Sequence, residues 1–301
     1  MPPNPLPVVA RYGARAAGLT WAPVGGGFSG AGVWRGAEPG GTPRLALKAW
    51  PADFPPPRLA AIHARVALLT HLPYVPRIHA TPDGNTVVVA AGRAWDLSSW
   101  ADGEPERGEP SAARVSSAAA ALAAVHAAWR TTDTGPAPAV LRRLGVIANW
   151  DANRPVPAGP FGDAVRRALR TLPPFLAAAR AALQPWAARP VPLQPCLVDV
   201  WPEHVRFSGS AVVGLVDFGA VQPDHVAVDL ARLFGGFPGP SRLGDGLAAY
   251  RAAGGRCDEP DAFARLLADT GVACAAAAWV ARGGPPAAAP RLHALLDRLS
   301  P

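Results

Sequence analysis

One lysine, one methionine and three cysteines are all that this 301-residue chain holds of those residue types. The three thiols, Cys196, Cys257 and Cys274, form no CxxC pair and no even-numbered framework. That excludes a disulfide scaffold and a zinc module, and predicts a reducing, cytoplasmic compartment. No run reaches the ~20 apolar residues that span a bilayer. The richest run, residues 271–281, is short and small-sided, suited to a buried helix. Residues 1–11 lack the charged start and apolar core of a signal peptide. No membrane partner is expected. The chain is also short of acid, with 22 Asp plus Glu against 29 Lys plus Arg. The resulting charge of +7 is spread thinly, and no arginine run exceeds the pairs Arg142-Arg143 and Arg166-Arg167. A nucleic-acid binder concentrates such charge on one face or arm, so this scatter argues against one.

What is present is apolar, at 50% of residues, with 36 Pro and 31 Gly placed mostly between apolar segments. The chain is long enough to bury a sizeable core. Short alternating runs at residues 19–23, 33–35, 45–50, 77–80 and 86–90 predict a five-stranded antiparallel sheet, with a helix over 58–70. Asp83-Gly84 marks a hairpin turn. Beyond residue 104 the pattern becomes helical over 111–129, 161–183 with a break at Pro173-Pro174, 229–234, 242–253, 260–282 and 291–299. The tryptophans read as core fillers.

Lys48 sits in the alternating run Arg44-Leu-Ala-Leu-Lys-Ala-Trp50. Arginine replaces lysine freely on open surfaces, but not where one compact ammonium must fit a tight site. About twenty residues upstream, a glycine-rich turn runs Gly25-Gly-Gly-Phe-Ser-Gly-Ala-Gly32, including Gly27, Phe28, Ser29 and Gly30. Its backbone N–H groups can cradle phosphate oxygens. No Gly-Lys-Ser/Thr follows, so it is not a Walker A loop. Further on, Asp199 sits on a loop, and Asp217 ends a predicted hairpin of residues 205–207 and 212–216. Phosphoryl transfer needs one carboxylate to orient the acceptor hydroxyl and another to hold a divalent cation against the phosphates. Asp199 suits the first role and Asp217 the second.

The segment from Asp199 through Pro202 and Val205 to Asp217-Phe-Gly219, then Asp229-Leu-Ala-Arg232, resembles the large-lobe signature of the aminoglycoside phosphotransferase and choline kinase superfamily, the small-molecule relatives of protein kinases. The resemblance implies a two-lobed, protein-kinase-like α+β fold. Its nucleotide-binding lobe would span residues 1–96, its hinge 97–103 and its helical catalytic lobe 104–301. It implies transfer of the γ-phosphoryl group of ATP (or GTP), with Mg²⁺, to a hydroxyl of a small molecule. Asp199 matches the catalytic base, Asp217 the metal ligand, Lys48 the phosphate-binding lysine, and Gly27, Phe28, Ser29 and Gly30 the nucleotide loop. Asp229 matches a bracing aspartate. Ser98 and Trp100 lie in the expected hinge, whose backbone would meet an adenine edge. The acids Asp224, Asp258, Glu259 and Asp261 read either as exposed turns and helix caps or as the lining of a site for a polycationic acceptor.

Three departures from the pattern stand out. Leu197 and Val198 replace its His and Gly. His204 stands where an Asn helps hold Mg²⁺. An imidazole there can ligate the metal directly or through water, contact phosphate, or serve structure only. The helix over 58–70 has no acid to pair with Lys48, leaving His63 or Asp217 as its partner. These departures motivate an alternative, a catalytically silent nucleotide-binding or regulatory module.

Overall fold

The computed structural model describes residues 4–25, 30–237 and 241–299. The chain runs α1 (Leu6–Val9), β1 (Thr20–Val24), β2 (Gly32–Ala37), β3 (Pro43–Ala49), α2 (Pro56–Ala67), β4 (Ile78–His79), β5 (Val88–Ala90), β6 (Arg93–Ser99) and β7 (Glu104–Pro105). It continues as α3 (Ala112–Ala128), β8 (Asp133–Pro136), α4 (Pro138–Ala148), α5 (Pro160–Leu183), β9 (Pro190–Cys196), β10 (Val205–Ser208), β11 (Ala211–Leu215) and β12 (Gln222–Asp224). Four helices close it: α6 (Ala227–Phe234), α7 (Leu243–Ala252), α8 (Asp261–Arg282) and α9 (Ala289–Asp297).

Two compact units divide these elements. The first comprises Met1–Arg107 and Glu203–Val221, the second Gly108–Pro202 and Gln222–Pro301. The expectation placed residues 203–221 with the helical lobe. They fold with the first unit because β10 pairs with β7 and the Leu215 N–H donates to Tyr74 O at 2.8 Å.

Among the described residues, the first unit's main sheet has six strands rather than five, in the order β1-β2-β3-β6-β4 with β5 on β6. β3 alternates as expected: Leu45, Leu47 and Ala49 turn into the core, while Lys48 takes the opposite face. That core gathers Val8, Tyr12, Trp34, Trp95 and Leu97, with the Trp34 and Trp95 rings stacked at 5.3 Å. The strand missed in the sequence is β6, which occupies part of the expected hinge. Its Asp96 and Ser98 suggest a loop, yet Asp96 is buried and its backbone pairs with β3. A tight turn at Ala91-Gly92, both at positive φ, delivers the chain from β5 into β6.

The second unit is mainly helical. Ser111 caps α3, accepting the Arg114 N–H. α5 continues through Pro173-Pro174, against the expected break. Both prolines lie on its exposed face, where the carbonyls they leave unbonded face solvent, and the buried Leu172, Leu176 and Ala179 keep the helix in register. α8 is apolar and long enough to cross a membrane by length and composition. In this unit it packs on α4, α5, α6 and α9, burying Phe263, Leu267, Ala276, Ala277 and Val280. β9 pairs with β8 and β12, a strand that its three prolines hide from a propensity reading. α4 also escaped the sequence reading.

Candidate active site

A cavity of about 380 Å³ opens in the first unit between its sheet, α2 and the segment after β11. Val33, Ala46, Leu59, Ile62, Val66 and Ile78 give it apolar walls, and Lys48, Asp96, His204 and Asp217 supply charge or polarity. An apolar slot with a few convergent polar groups suits a flat ring carrying anionic groups.

Lys48 Nζ donates to Asp217 Oδ1 at 3.0 Å. The two side chains are 21% and 45% exposed, so the pair is reachable from the cavity. Asp217 holds a left-handed backbone (φ +64°, ψ +66°), a conformation that costs energy in a non-glycine residue and aims its carboxylate at the lysine. Burial pushes the Asp217 carboxyl up. Lys48, His204 and the hydrogen bonds from Lys48 and the Gly219 N–H pull it further the other way, so it ends below its ordinary value. It is therefore an anion at neutral pH. As a hard oxygen donor it could hold a divalent cation such as Mg²⁺. The His204 imidazole lies close enough to influence Asp217 but is a soft donor that suits that ion poorly.

Gly27, Phe28 and Ser29 lie outside the described residues. Gly30 has φ +75°, and its carbonyl accepts Arg93 NH1 at 3.0 Å. Ser98 and Trp100 both line the cavity. Ser98 is interior to β6, paired with Ala46 on one side and Ile78 on the other, and the Trp100 N–H donates to Arg44 O at 2.9 Å. The Trp100 N–H is thus spent on the sheet, while both residues stay on the cavity wall.

Asp199 belongs to the second unit. Its Oδ1 accepts Arg232 NH2 at 2.7 Å and Trp201 Nε1 at 3.0 Å. The Arg232 guanidinium also lies 4.1 Å from the Trp201 ring centroid. Asp199 follows Val198, whose φ is +67°. Only glycine adopts that region cheaply, and a β-branched residue there is strained. The strain is held by Asp229, fully buried, whose Oδ1 accepts the Val198 N–H at 2.6 Å and Oδ2 the Leu197 N–H at 2.7 Å. His126 Nε2 donates to Oδ2 at 3.0 Å, while its Nδ1 meets the Tyr250 hydroxyl at 2.9 Å. His126, Cys196 and Asp229 are close enough to chelate a cation. Their donors are already spent on this network, and the Cys196 thiol, which burial pushes well up, donates to Asp224 O. The cluster is a brace.

Three of the four acids considered for an acceptor pocket are otherwise engaged. Asp224 is buried and accepts Arg142, Ala139 N–H and His225 N–H, so the exposed-turn reading fails for it. Glu259 pairs with Arg189 and Asp261 with Arg251.

Sequence reasoning missed Asp96 and Trp50. Asp96 is paired in register with Lys48 across β3 and β6, and Lys48 Nζ lies 3.9 Å from the Trp50 ring centroid. The signal was present in the alternation of Ala94, Asp96 and Ser98 opposite Trp95 and Leu97. His63 does not meet Lys48 in an ion pair; it bonds Asp96.

The sequence model of the phosphotransferase enzyme family matches residues 20–267. No curated protein matches the chain by sequence. Among solved structures, an aminoglycoside phosphotransferase from Alicyclobacillus acidocaldarius superposes with a TM-score of 0.60 at 15% identity, covering 99% of this chain and 93% of that one. A choline/ethanolamine kinase family protein from Mesorhizobium loti gives 0.60 at 17%, covering 97% and 93%. An amicoumacin kinase in complex with AMP-PNP and Ca²⁺ gives 0.64 at 11%, covering 98% and 95%. At these identities the likeness is one of fold, a kinase-like α+β architecture. With the family model spanning most of its length, the chain belongs to the phosphotransferase enzyme family.

Proposed function

We propose that this protein is a kinase that moves the γ-phosphoryl group of ATP to a hydroxyl of a small molecule. The observation that carries the reading is the Lys48–Asp217 ion pair, 3.0 Å long, in an apolar-walled cavity. The ring of a nucleotide would lie against Val33, Ala46 and Ile78. Lys48 would exchange Asp217 for phosphate oxygens, a point charge meeting an anion. Asp217 would hold Mg²⁺, which when bound spreads the charge of the transferring group. Asp199 would orient the acceptor hydroxyl and take its proton. Catalysis in such a site is largely positioning and charge neutralisation. GTP serves the same contacts, and choice of base is left to the cavity wall.

The acceptor reading favours a neutral or anionic alcohol over a polycation. Asp224, Glu259 and Asp261 are already paired with arginines, and Asp199 itself stands beside Arg232. One observation favours the second reading, a nucleotide-binding module without turnover. Asp199 Oδ1 is committed to both Arg232 and Trp201 in this state.

The deciding experiment is thermal unfolding of wild type and Asp217→Ala with ATP, with and without Mg²⁺. A ligand at ~100 times its dissociation constant stabilises the native state by about 2.7 kcal/mol. A magnesium-dependent rise in wild type that disappears in Asp217→Ala supports the site. Acceptor-dependent ADP release then separates the kinase from the silent module. No shift with millimolar ATP sinks both.

A further inference from the structure

Lys48 rests on a ring that is itself held from several sides. The ammonium lies 3.9 Å from the Trp50 ring centroid, within cation–π range. Trp50 Nε1 donates to Asp96 Oδ2 at 3.0 Å, and His63 Nε2, on α2, donates to the same oxygen at 3.0 Å. All three residues are buried: Trp50 is 7% exposed, Asp96 6% and His63 5%. The Phe54 ring tilts against Trp50 with centroids 4.4 Å apart. On the Asp217 side the contact is closer still. A Cβ on Gly219 would come within 2.7 Å of the indole, so glycine is what lets the segment after Asp217 lie against the ring.

Two features give this cluster a role beyond filling space. Asp96 is the direct cross-strand partner of Lys48, so both side chains stand on one face of the sheet. And α2 carries no acid; beside the apolar Leu59, Ile62 and Val66, the polar group it offers at the cavity is His63. A buried carboxylate is costly without donors and a nearby positive charge. Here the donors are an indole and an imidazole, and the ammonium is one strand away.

We propose that Trp50, fixed by Asp96 and His63, positions Lys48 for the nucleotide phosphates, and that Asp96 supplies the negative charge which α2 does not. Trp50, Asp96 and His63 are positioning residues and need not touch the nucleotide. When phosphate draws Lys48 away from Asp217, the ring keeps the ammonium from swinging free. The inference rests on the kinase reading of the same cavity.

The test is calorimetric titration of the full chain with ATP and Mg²⁺, with melting temperature measured on every variant. Trp50→Leu removes the ring and is expected to weaken binding about tenfold. Trp50→Phe keeps a π face and is expected to recover most of that loss. Asp96→Asn keeps the shape and an acceptor for both donors but loses the charge, and is expected to weaken binding several-fold with little change in melting. In a Lys48→Met background neither change is expected to weaken binding further. That coupling is what a merely structural role would not produce. Losses that add fully to Lys48→Met, or wild-type affinity in both Trp50→Leu and Asp96→Asn, overturn the positioning role. Should Trp50→Leu fail to fold, Asp96→Asn alone and with Lys48→Met decides the matter. Wild type that binds no MgATP overturns the kinase reading instead, and the proposal with it.

Discussion

Removing the Asp229 carboxylate gives the sharpest test of how the Asp199 loop is built. Asp229→Ala leaves the Leu197 and Val198 N–H groups and His126 Nε2 without their acceptor. Hydrogen bonds to a charged group contribute roughly 1.5–3 kcal/mol each. Two backbone bonds to a fully buried carboxylate set the loss at about 4 kcal/mol once the relief of burying no charge is allowed for. Against a total stability of about 5–15 kcal/mol this is a large fraction. The second half of the test uses the strain at Val198. A non-glycine residue at φ +67° gives up about 1–2 kcal/mol, and this brace is what holds it there. Val198→Gly should therefore relieve that strain in wild type, partly offset by the chain entropy glycine adds to the unfolded state, and should gain about 1 kcal/mol less in the Asp229→Ala background, where the loop can already relax. Urea unfolding of the four proteins measures both effects and their coupling. A loss under 1 kcal/mol for Asp229→Ala, or a Val198→Gly change of equal size in both backgrounds, refutes the account. Since Asp199 follows Val198, the proposed phosphoryl transfer should drop in Asp229→Ala by more than the unfolded fraction explains.

Two further outcomes follow from the second unit. His225 is 1% exposed, and its Nδ1 accepts the Ala227 N–H at 3.1 Å. Burial, then the neighbouring His126, lowers its pKa from 6.5 to about 4 against the pull of Asp258. The unfolded chain binds this proton near pH 6.5 and the native chain only near 4, so stability falls as pH drops through that window, by on the order of 3 kcal/mol in full. His225→Asn keeps an acceptor and should flatten the loss between urea midpoints taken at pH 7 and pH 5; an unchanged slope counts against it. Gly246→Ala would put a Cβ 2.2 Å from the fully buried Phe234 ring, and should destabilise by about 2 kcal/mol in the same assay.

How much of this was legible depended on where each signal was carried. Lys48, Asp199 and Asp217 stood out because polar residues stand alone against apolar runs at a spacing the chemistry needs, whereas Asp229 was reached only through the resemblance to the phosphotransferase superfamily. β3 was legible because Leu45, Leu47 and Ala49 alternate with polar or small neighbours. β6 was not, because the burial of Asp96 is made acceptable by Trp50 and His63, which are 46 and 33 residues away along the chain. The continuity of α5 was hidden for a similar reason, since whether two prolines break a helix depends on which face meets water. Arg232 beside Asp199 was also beyond reach. Its motif position was readable, but its direction toward a carboxylate 33 residues earlier is a property of the fold.

The discontinuity of the first unit bears on how the protein is made. β7 waits for β10, and Tyr74 O for the Leu215 N–H, until the chain has run about 110 residues past Arg107. At ribosomal speeds of about 5–20 residues per second, that is a delay of roughly 6–22 s. During it the sheet of β1–β6 exists without Asp217, and the wall of its cavity that Val216 and Phe218 later supply is missing. A nascent chain in this interval would expose that apolar surface and could not pair Lys48 with Asp217. The unit that is first in sequence is completed late in synthesis, and expressing residues 1–107 alone would reproduce the unfinished form.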